Sequence, residues 1–338
     1  MGISLKDLAK ECDCSITSVS RALKDSDTIS IQLREKVQTK AKEMGYIPNM
    51  LARSMRRGYT NTIAVILADL RNPFFSLIAH YMERYASKLG YRLIFMNTGE
   101  DTNREYECIL NALQRNVDGI LLLPNQQDTA GIDLLKKKNF PFVLFGRAFS
   151  DVNTDYVIAD DTYGAYLATR HLIERGHRDI MFLNSFMHIS SSQERLNGYK
   201  QALNEAGIPF KKEYVYTVST NRGDSDEMVR KIFSEPQPYT AIFCYCDVIA
   251  FEAMYALSDM GYDIPKDIAI AGVDDLHSDI TLPIKFTSAG TKRSEYAQKA
   301  LDTLIYRMKH PFAPDEDESK HVYKHEILDV HLTIGKTT

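Results

Sequence analysis

The first 47 residues carry three short helical patterns of hydrophobic and polar positions. The first begins at Ser4, where Ser4 and Asp7 have the spacing of a capping box. A second pattern covers 16–23 after a tight turn, and a third covers 31–44. Two short helices joined by a tight turn and supported by a third helix predict a helix-turn-helix.

A different pattern begins at residue 62, where short apolar runs alternate with helical periodicity. Thr62–Ala68 predicts a buried strand and Phe74–Lys88 a helix, and this alternation continues through a helix at 293–309. Repeated β-α-β units predict parallel sheets covered on both faces. For roughly 275 residues, two sheets of five or six strands with a cleft between them are favoured over one sheet. The expected fold class is α/β, with an all-α N-terminal part and two doubly wound subdomains.

The second helical pattern has a polar outer face. Thr17, Ser18 and Arg21 point away from the side that carries Val19 and Ala22. Small polar residues allow close approach to a DNA major groove, and arginine can donate two hydrogen bonds to guanine. A three-helix cap on a larger domain would show the same periodicity, so the pattern alone leaves both interpretations open.

The segment 48–58 combines a short helical pattern with three arginines and no acidic residue. A helix of this length is marginal alone in water, so it is a candidate for folding on a partner. Met55 lies among the arginines and suits a minor-groove wedge. A flexible basic linker is the alternative.

Charge supports this division of the chain. Residues 1–60 hold 11 Lys and Arg against 7 Asp and Glu, whereas the remainder holds 30 against 38. A basic N-terminal part on an acidic body is typical of a DNA-contacting segment. The whole chain of 338 residues has a net charge of −4, which argues against a protein that coats nucleic acid along its entire length.

We expect a cytoplasmic protein. Residues 1–15 contain five charged side chains and no apolar core, unlike a secretory signal. Lys6 stands where a myristoylation motif needs Ser or Thr. No apolar run is long enough to span a membrane, and five cysteines without an export signal suggest reduced thiols.

Enzyme, cofactor and metal motifs do not fit the chain. It has no G-x-G-x-x-G, Walker or G-x-S-x-G motif. In His325–His331 the second histidine falls too late for H-E-x-x-H, so a terminal strand is the better interpretation. The C-x-C pairs at Cys12 and Cys244 match neither redox nor zinc spacing. We expect no enzyme activity, no cofactor and no metal.

Several N-terminal motifs together resemble the headpiece of the LacI/GalR (lactose-repressor/galactose-repressor) family. They are Leu5-Lys-Asp-Leu-Ala-Lys, Ser15-Ile-Thr-Ser-Val-Ser-Arg-Ala-Leu, Arg34-Glu-Lys-Val and Gly45-Tyr-Ile-Pro-Asn followed by Ala52-Arg-Ser. The resemblance implies a second helix that contacts bases in the major groove, and a hinge helix that pairs across a dimer. Met55 stands where the family usually has leucine. The implied DNA-binding residues are Ser4, Ser15, Ile16, Thr17, Ser18, Arg21, Tyr46, Asn49, Ala52, Met55 and Arg56.

The body strengthens this resemblance. Its matching motifs include Asn72-Pro-Phe-Phe75, His171 to Ile180, Arg195-Leu-Asn-Gly-Tyr199 and Gly272-Val-Asp274. They imply the periplasmic-binding-protein architecture, with two subdomains joined by three crossings. The expected organisation is a headpiece at 1–47, a hinge helix and linker at 48–61, and an effector-binding and dimerisation core at 62–338. Within the core we expect an N-subdomain of about 62–160 plus 290–320, and a C-subdomain of about 161–289 plus 321–338.

The expected effector site lies in the cleft between these subdomains. Polar and aromatic residues after predicted strands offer flat faces and charged hydrogen bonds, and the resemblance adds Ser191 and Thr220. The candidate effector-binding residues are Phe74, Phe75, Arg147, Ser191, Arg195, Thr220, Asp247 and Asp274. Thr220 replaces an aromatic residue, and Ile189 an arginine, of purine-binding members, so the sequence favours a sugar or sugar derivative.

These expectations describe a homodimeric repressor that binds a near-palindromic DNA operator under control of a small effector. One alternative is a global regulator whose co-repressor is a protein, with its control surface outside the cleft. Another is a solute-binding module or enzyme with an incidental helical cap.

Overall fold

The computed structural model describes residues 3–24, 26–47, 58–313 and 320–338. The chain divides into two compact units, Met1–Thr60 and Asn61–Thr338. No helix in the described ranges is long and apolar enough to cross a membrane.

The first unit, called the headpiece below, contains α1 (Leu5–Glu11), α2 (Ile16–Ala22) and α3 (Ile31–Glu43). Each begins at a serine whose hydroxyl accepts a backbone N–H of the first turn. The three helices bury a small core that holds Leu8, Val19 and Val37. The helix-turn-helix prediction is confirmed.

The second unit, called the core domain, contains two six-stranded sheets. The first sheet has the order β11-β5-β4-β3-β1-β2 and is parallel throughout. Its strands are β1 (Thr62–Leu67), β2 (Arg92–Asn97), β3 (Gly119–Leu122), β4 (Phe142–Phe145), β5 (Tyr156–Ala159) and β11 (His325–Leu328).

The second sheet has the order β12-β10-β9-β8-β6-β7, and only β12 runs antiparallel to its neighbour within the described chain. Its strands are β6 (Ile180–Asn184), β7 (Val215–Thr217), β8 (Ala241–Cys244), β9 (Ala269–Val273), β10 (Thr287–Gly290) and β12 (His331–Thr333). Two doubly wound sheets confirm the expected fold class.

The helices of the core domain connect the strands and cover both faces of the sheets. They are α4 (Pro73–Lys88), α5 (Thr102–Gln114), α6 (Ala130–Lys137), α7 (Asp161–Glu174), α8 (Ser190–Glu205), α9 (Asp224–Ile232), α10 (Asp247–Asp259) and α11 (Arg293–Lys309). Val65 faces one apolar cluster of the first sheet and Ala64 the other. Burial on both faces explains the continuous apolar runs in the sequence.

The position of the last strands differs from one expected subdomain boundary. We placed 321–338 in the C-subdomain, but β11 forms a parallel ladder with β5 in the first sheet. Tyr156 of β5 also stacks on His325 of β11, with ring centroids 4.2 Å apart. The last two strands therefore divide between the sheets: β11 extends the first sheet beside β5, and β12 then pairs with β10 of the second.

Strand order reverses at β1 in the first sheet and at β6 in the second. Loops at such reversals diverge above and below the sheet, which opens a crevice at the carboxyl ends of the strands. Residues that follow β1, β4, β6 and β9 are therefore brought toward the same crevice.

Candidate functional site

The outer face of α2 is the candidate DNA-binding surface of the headpiece. Ser15 caps the helix by accepting the N–H of Ser18 at 3.0 Å. Ile16, Thr17 and Arg21 are exposed, and Ile16 retains 48% of its accessible surface. An exposed isoleucine beside a threonine and an arginine provides apolar and hydrogen-bonding groups for base edges.

The other candidate DNA-binding residues have different surroundings. Ser4 forms both hydrogen bonds of a capping box with Asp7, at 2.9 and 3.3 Å. Ser18 is half-buried, and its hydroxyl lies 2.9 Å from that of Ser15. Tyr46 packs against the headpiece core. The predicted hinge contacts lie outside the described residues; they are Asn49, Ala52, Met55 and Arg56.

The core domain has a cavity at the carboxyl ends of the strands, called the inner compartment below, and its empty space of about 570 Å³ is partly open to solvent. Seven of the eight candidate effector-binding residues line it together. They are Phe74, Phe75, Arg147, Ser191, Arg195, Thr220 and Asp274. They come from both sheets, so the cavity lies between the two subdomains.

Arg147 is held in place by Glu100 in the inner compartment. Its guanidinium donates to the two carboxylate oxygens of Glu100 at 2.6 and 2.9 Å, and to the carbonyl of Pro124 at 3.1 Å. Arg147 is buried, and its partner comes from the loop after β2. This bidentate pair fixes the guanidinium plane and neutralises its charge.

Arg195 is held in a similar way by Asp161. The pair has N–O distances of 2.7 and 2.8 Å, and Arg195 also donates to the backbone carbonyl of Tyr245. The guanidinium carbon lies 4.3 Å from the centre of the Tyr245 ring. Burial raises the pKa of Asp161, and Arg195 opposes this effect. Each arginine of the inner compartment therefore has its own carboxylate.

Sequence reasoning missed several residues that line this cavity, and Glu100, Asp161 and Tyr245 are the polar ones that contact its arginines or Ser191. All three follow strands, which was the signal used for the residues that were found. Tyr245 comes directly after β8, and its hydroxyl lies 2.8 Å from that of Ser191. The sequence alone did not show which residue after β8 faces the cavity.

Asp247 was the residue chosen there, and the structure places it elsewhere. It is fully buried at the start of α10, where its carboxylate accepts the N–H of Leu276 at 2.9 Å and the hydroxyl of Ser288 at 2.6 Å. These bonds tie α10 to the loop after β9 and to β10. Asp247 is therefore not among the residues that line the inner compartment, although we predicted it as an effector contact.

Asp274 contributes a third carboxyl group to the lining of the inner compartment, beside those of Glu100 and Asp161. Burial raises its pKa to about 7, although Arg195 and Arg293 lower it. Its backbone has φ 114°, which is unusual for any residue but glycine, and its carbonyl accepts a hydrogen bond from Arg293. The chain is thus held in a strained turn that presents Asp274 to the cavity.

Two aromatic rings form the apolar side of the inner compartment. Phe74 and Phe75 lie in the first turn of α4, and their ring centroids are 5.3 Å apart in an edge-to-face arrangement. Both are half-buried. Flat rings opposite fixed hydrogen-bonding groups suit a ring with apolar faces and a hydroxylated edge. Within the described chain, no group of three or more His, Cys, Asp or Glu could hold a metal ion.

Comparisons with known proteins match both units. The family model described as "Bacterial regulatory proteins, lacI family" matches residues 4–49, and "Periplasmic binding proteins and sugar binding domain of LacI family" matches 60–325. The ribose operon repressor of Haemophilus influenzae is 31% identical over 309 residues, covering 91% of this chain and 92% of the repressor. The HTH-type transcriptional repressor PurR of Actinobacillus pleuropneumoniae is 29% identical, covering 90% of this chain and 91% of that protein.

Solved structures show the same fold. The lac repressor dimer bound to operator and the anti-inducer ONPF has a TM-score of 0.85 at 22% identity, covering 100% of this chain and 99% of that one. A complex of the transcriptional regulator CelR with cellobiose has a TM-score of 0.73 at 23% identity, covering 99% and 100%.

Proposed function

The chain belongs to the LacI family of bacterial regulatory proteins, and we propose that it represses transcription in response to an uncharged sugar bound between its subdomains. It is a DNA-binding transcriptional regulator controlled by a small effector. In this proposal it acts as a homodimer in the cytoplasm, and the outer face of each α2 binds one half of a near-palindromic operator. It catalyses no reaction.

The observation that carries the sugar assignment is the pairing of both inner arginines. Glu100 binds Arg147 and Asp161 binds Arg195, so neither guanidinium offers an unneutralised charge to a phosphate or carboxylate. The paired groups still present hydrogen bonds at fixed positions, opposite Phe74 and Phe75. Hydroxyl groups around a ring match this combination of fixed polar groups and apolar faces.

Control of DNA binding then follows from a population shift. A sugar that binds one arrangement of the subdomains better than the other changes the fraction of molecules that can bind the operator. The size of the effect equals the difference in its affinity for the two arrangements.

The test uses DNA selected by the purified protein from a random pool. We expect affinity for the selected DNA to fall steeply with salt, because phosphate contacts release counterions. Uncharged saccharides are then added and the change in affinity is measured. The cleft variant is Thr220→Trp, which adds an indole to the lining of the cavity. Its matched control is Thr217→Trp, at an exposed position at the end of β7.

Wild type and Thr217→Trp should respond to the same saccharide, whereas Thr220→Trp should bind DNA without responding. A response only to sugar phosphates or nucleobases would contradict the uncharged-sugar assignment. If Thr220→Trp still responded to the saccharide, the controlling site would lie outside the cavity. That result would favour the alternative in which the control surface lies outside the cleft.

A further inference from the structure

A second cavity adjoins the inner compartment and is called the outer compartment below. Its empty space is about 860 Å³, part of which is open to solvent. It shares four lining residues with the inner compartment: Glu100, Arg147, Thr220 and Tyr245. The two spaces are therefore parts of one continuous cleft, and a single sugar ring held against Phe74 and Phe75 occupies only the inner part.

The outer compartment is also electrostatically balanced. Its further arginine, Arg71, donates to both carboxylate oxygens of Asp69, with distances of 2.8 to 3.1 Å. The arginines that line the two compartments thus each have a bonded carboxylate in the described structure. An anionic extension of the effector would find no unneutralised arginine there, whereas hydroxyl groups would find donors and acceptors.

The loop after β6 adds an exposed aromatic surface to the outer compartment. Phe186 and Met187 keep 45% and 46% of their surface exposed, although both are large and apolar. The ring of His188 lies parallel to that of Phe186, with centroids 5.9 Å apart and an interplanar angle of 24°. Phe186 and His188 both line the cavity. Adjacent exposed apolar residues beside a cavity are typical of a ligand-contacting surface.

The polar part of the outer compartment lies on the loop after β7. Asn221 is exposed there, and its backbone N–H donates to the hydroxyl of Ser219 at 3.0 Å. Both residues line the cavity, together with Thr220. The compartment therefore repeats the chemistry of the inner one, with an aromatic surface and hydroxyl and amide groups.

We propose that the effector is an uncharged saccharide of at least two units, whose second unit binds in the outer compartment against Phe186 and His188. This inference rests on the proposed sugar effector and adds the number of sugar units that the effector contains. Phe186 is then a specificity-determining residue that distinguishes disaccharides from monosaccharides.

Isothermal titration of the full chain tests this inference. The probes are cellobiose, maltose, lactose and sucrose, each compared with glucose, galactose or fructose as its constituent monosaccharides. The variant is Phe186→Ala. The matched control is Phe210→Ala, because Phe210 is also about 40% exposed but packs on Tyr199, away from the cleft lining.

We expect one disaccharide to bind wild type about tenfold more tightly than its constituents, and Phe186→Ala to remove that preference. Phe210→Ala should keep it. A monosaccharide that binds as tightly as any disaccharide, or a preference unchanged in Phe186→Ala, overturns the inference while the sugar effector stands. Absence of binding by every saccharide overturns the sugar effector itself.

Discussion

The headpiece and the core domain place their functional side chains in opposite environments. On α2, Thr17 and Arg21 project from a small core into solvent and take no part in its packing. In the cleft, Arg147 and Arg195 are buried, and each is bound to a carboxylate of the same chain. Substitution of these exposed headpiece side chains should therefore change function without changing stability, whereas substitution of the buried arginines should change both.

The difference follows from the shape of the two partners. Duplex DNA is rigid and large, so a protein contacts it with a convex element whose side chains extend outward. A small effector must be surrounded, and surrounding it buries the polar groups that bind it. Buried charges need partners before the effector arrives, which is why Asp161 and Glu100 accompany the arginines.

The largest expected effect is that of Arg195→Ala. It leaves the buried carboxylate of Asp161 without its main partner, which costs roughly 3–5 kcal/mol for a broken buried pair. Urea unfolding of the core domain measures the loss. The control is Arg170→Ala, which removes an exposed pair with Glu174 and should cost about 0–1 kcal/mol.

The double variant Arg195→Ala with Asp161→Asn should regain much of the lost stability, because it no longer contains an unpaired buried carboxylate. It should not regain effector binding, because the guanidinium that contacts the effector is still missing. Equal stability of Arg195→Ala and wild type would break the comparison, since the cleft would then behave like the headpiece.

Arg21→Ala is expected to have an intermediate effect, on binding alone. Loss of a base-contacting arginine costs about 1–3 kcal/mol of specific binding and relaxes preference at one operator position. Binding to selected DNA and to its single-base variants measures this change. Lys42→Ala removes the same charge from exposed α3 and should leave base preference unchanged. If Arg21→Ala shifted the midpoint of unfolding by more than Lys42→Ala does, Arg21 would contribute to stability as well as to binding. That outcome would contradict the expectation that exposed headpiece residues affect binding alone.

The sequence predicted the elements well where apolar spacing reflects burial. Continuous runs such as Thr62–Leu67 are buried on both faces and were recognised as strands. Where the buried residues are small or polar, apolar spacing does not predict the element. Strand β10 consists of Thr287–Gly290 and has no apolar run that would predict it. Helix α8 begins at Ser190, but its serine-rich first turn shows no apolar spacing from which that start could be predicted.

The candidate site was predictable as a set of strand ends but not as a set of pairs. Arg195 and Asp161 are 34 positions apart, and Arg147 and Glu100 are 47 apart. These partners come together only when the sheets pack, so no short-range sequence pattern predicts the pairs. Asp247 shows the same limit, because its position after β8 fits a cleft residue while its carboxylate turns toward Ser288.

Substitution of Ser15 is expected to have the smallest effect, but it tests the comparison most sharply. Ser15 both stabilises the fold as a helix cap and lies on the candidate DNA-binding surface. Its hydroxyl caps α2, and its exposed position places it beside the candidate base contacts. Ser15→Ala should cost the helix about 1 kcal/mol through loss of the cap. Hydrogen exchange of the α2 amides in the full chain measures that cost. Ser30→Ala removes the corresponding cap of α3 and serves as the control.

Ser15→Asp separates the two roles. Aspartate caps a helix as well as serine does and suits its positive end, so exchange of the α2 amides should stay near the wild-type rate. Its negative charge opposes DNA phosphates, so affinity for the selected DNA should fall. If Ser15→Asp kept wild-type DNA affinity, the start of α2 would lie away from the DNA and the candidate surface would have to move. Lost affinity with an intact helix would show that even a capping residue of the headpiece can be changed in function without loss of fold, which the paired arginines of the cleft do not allow.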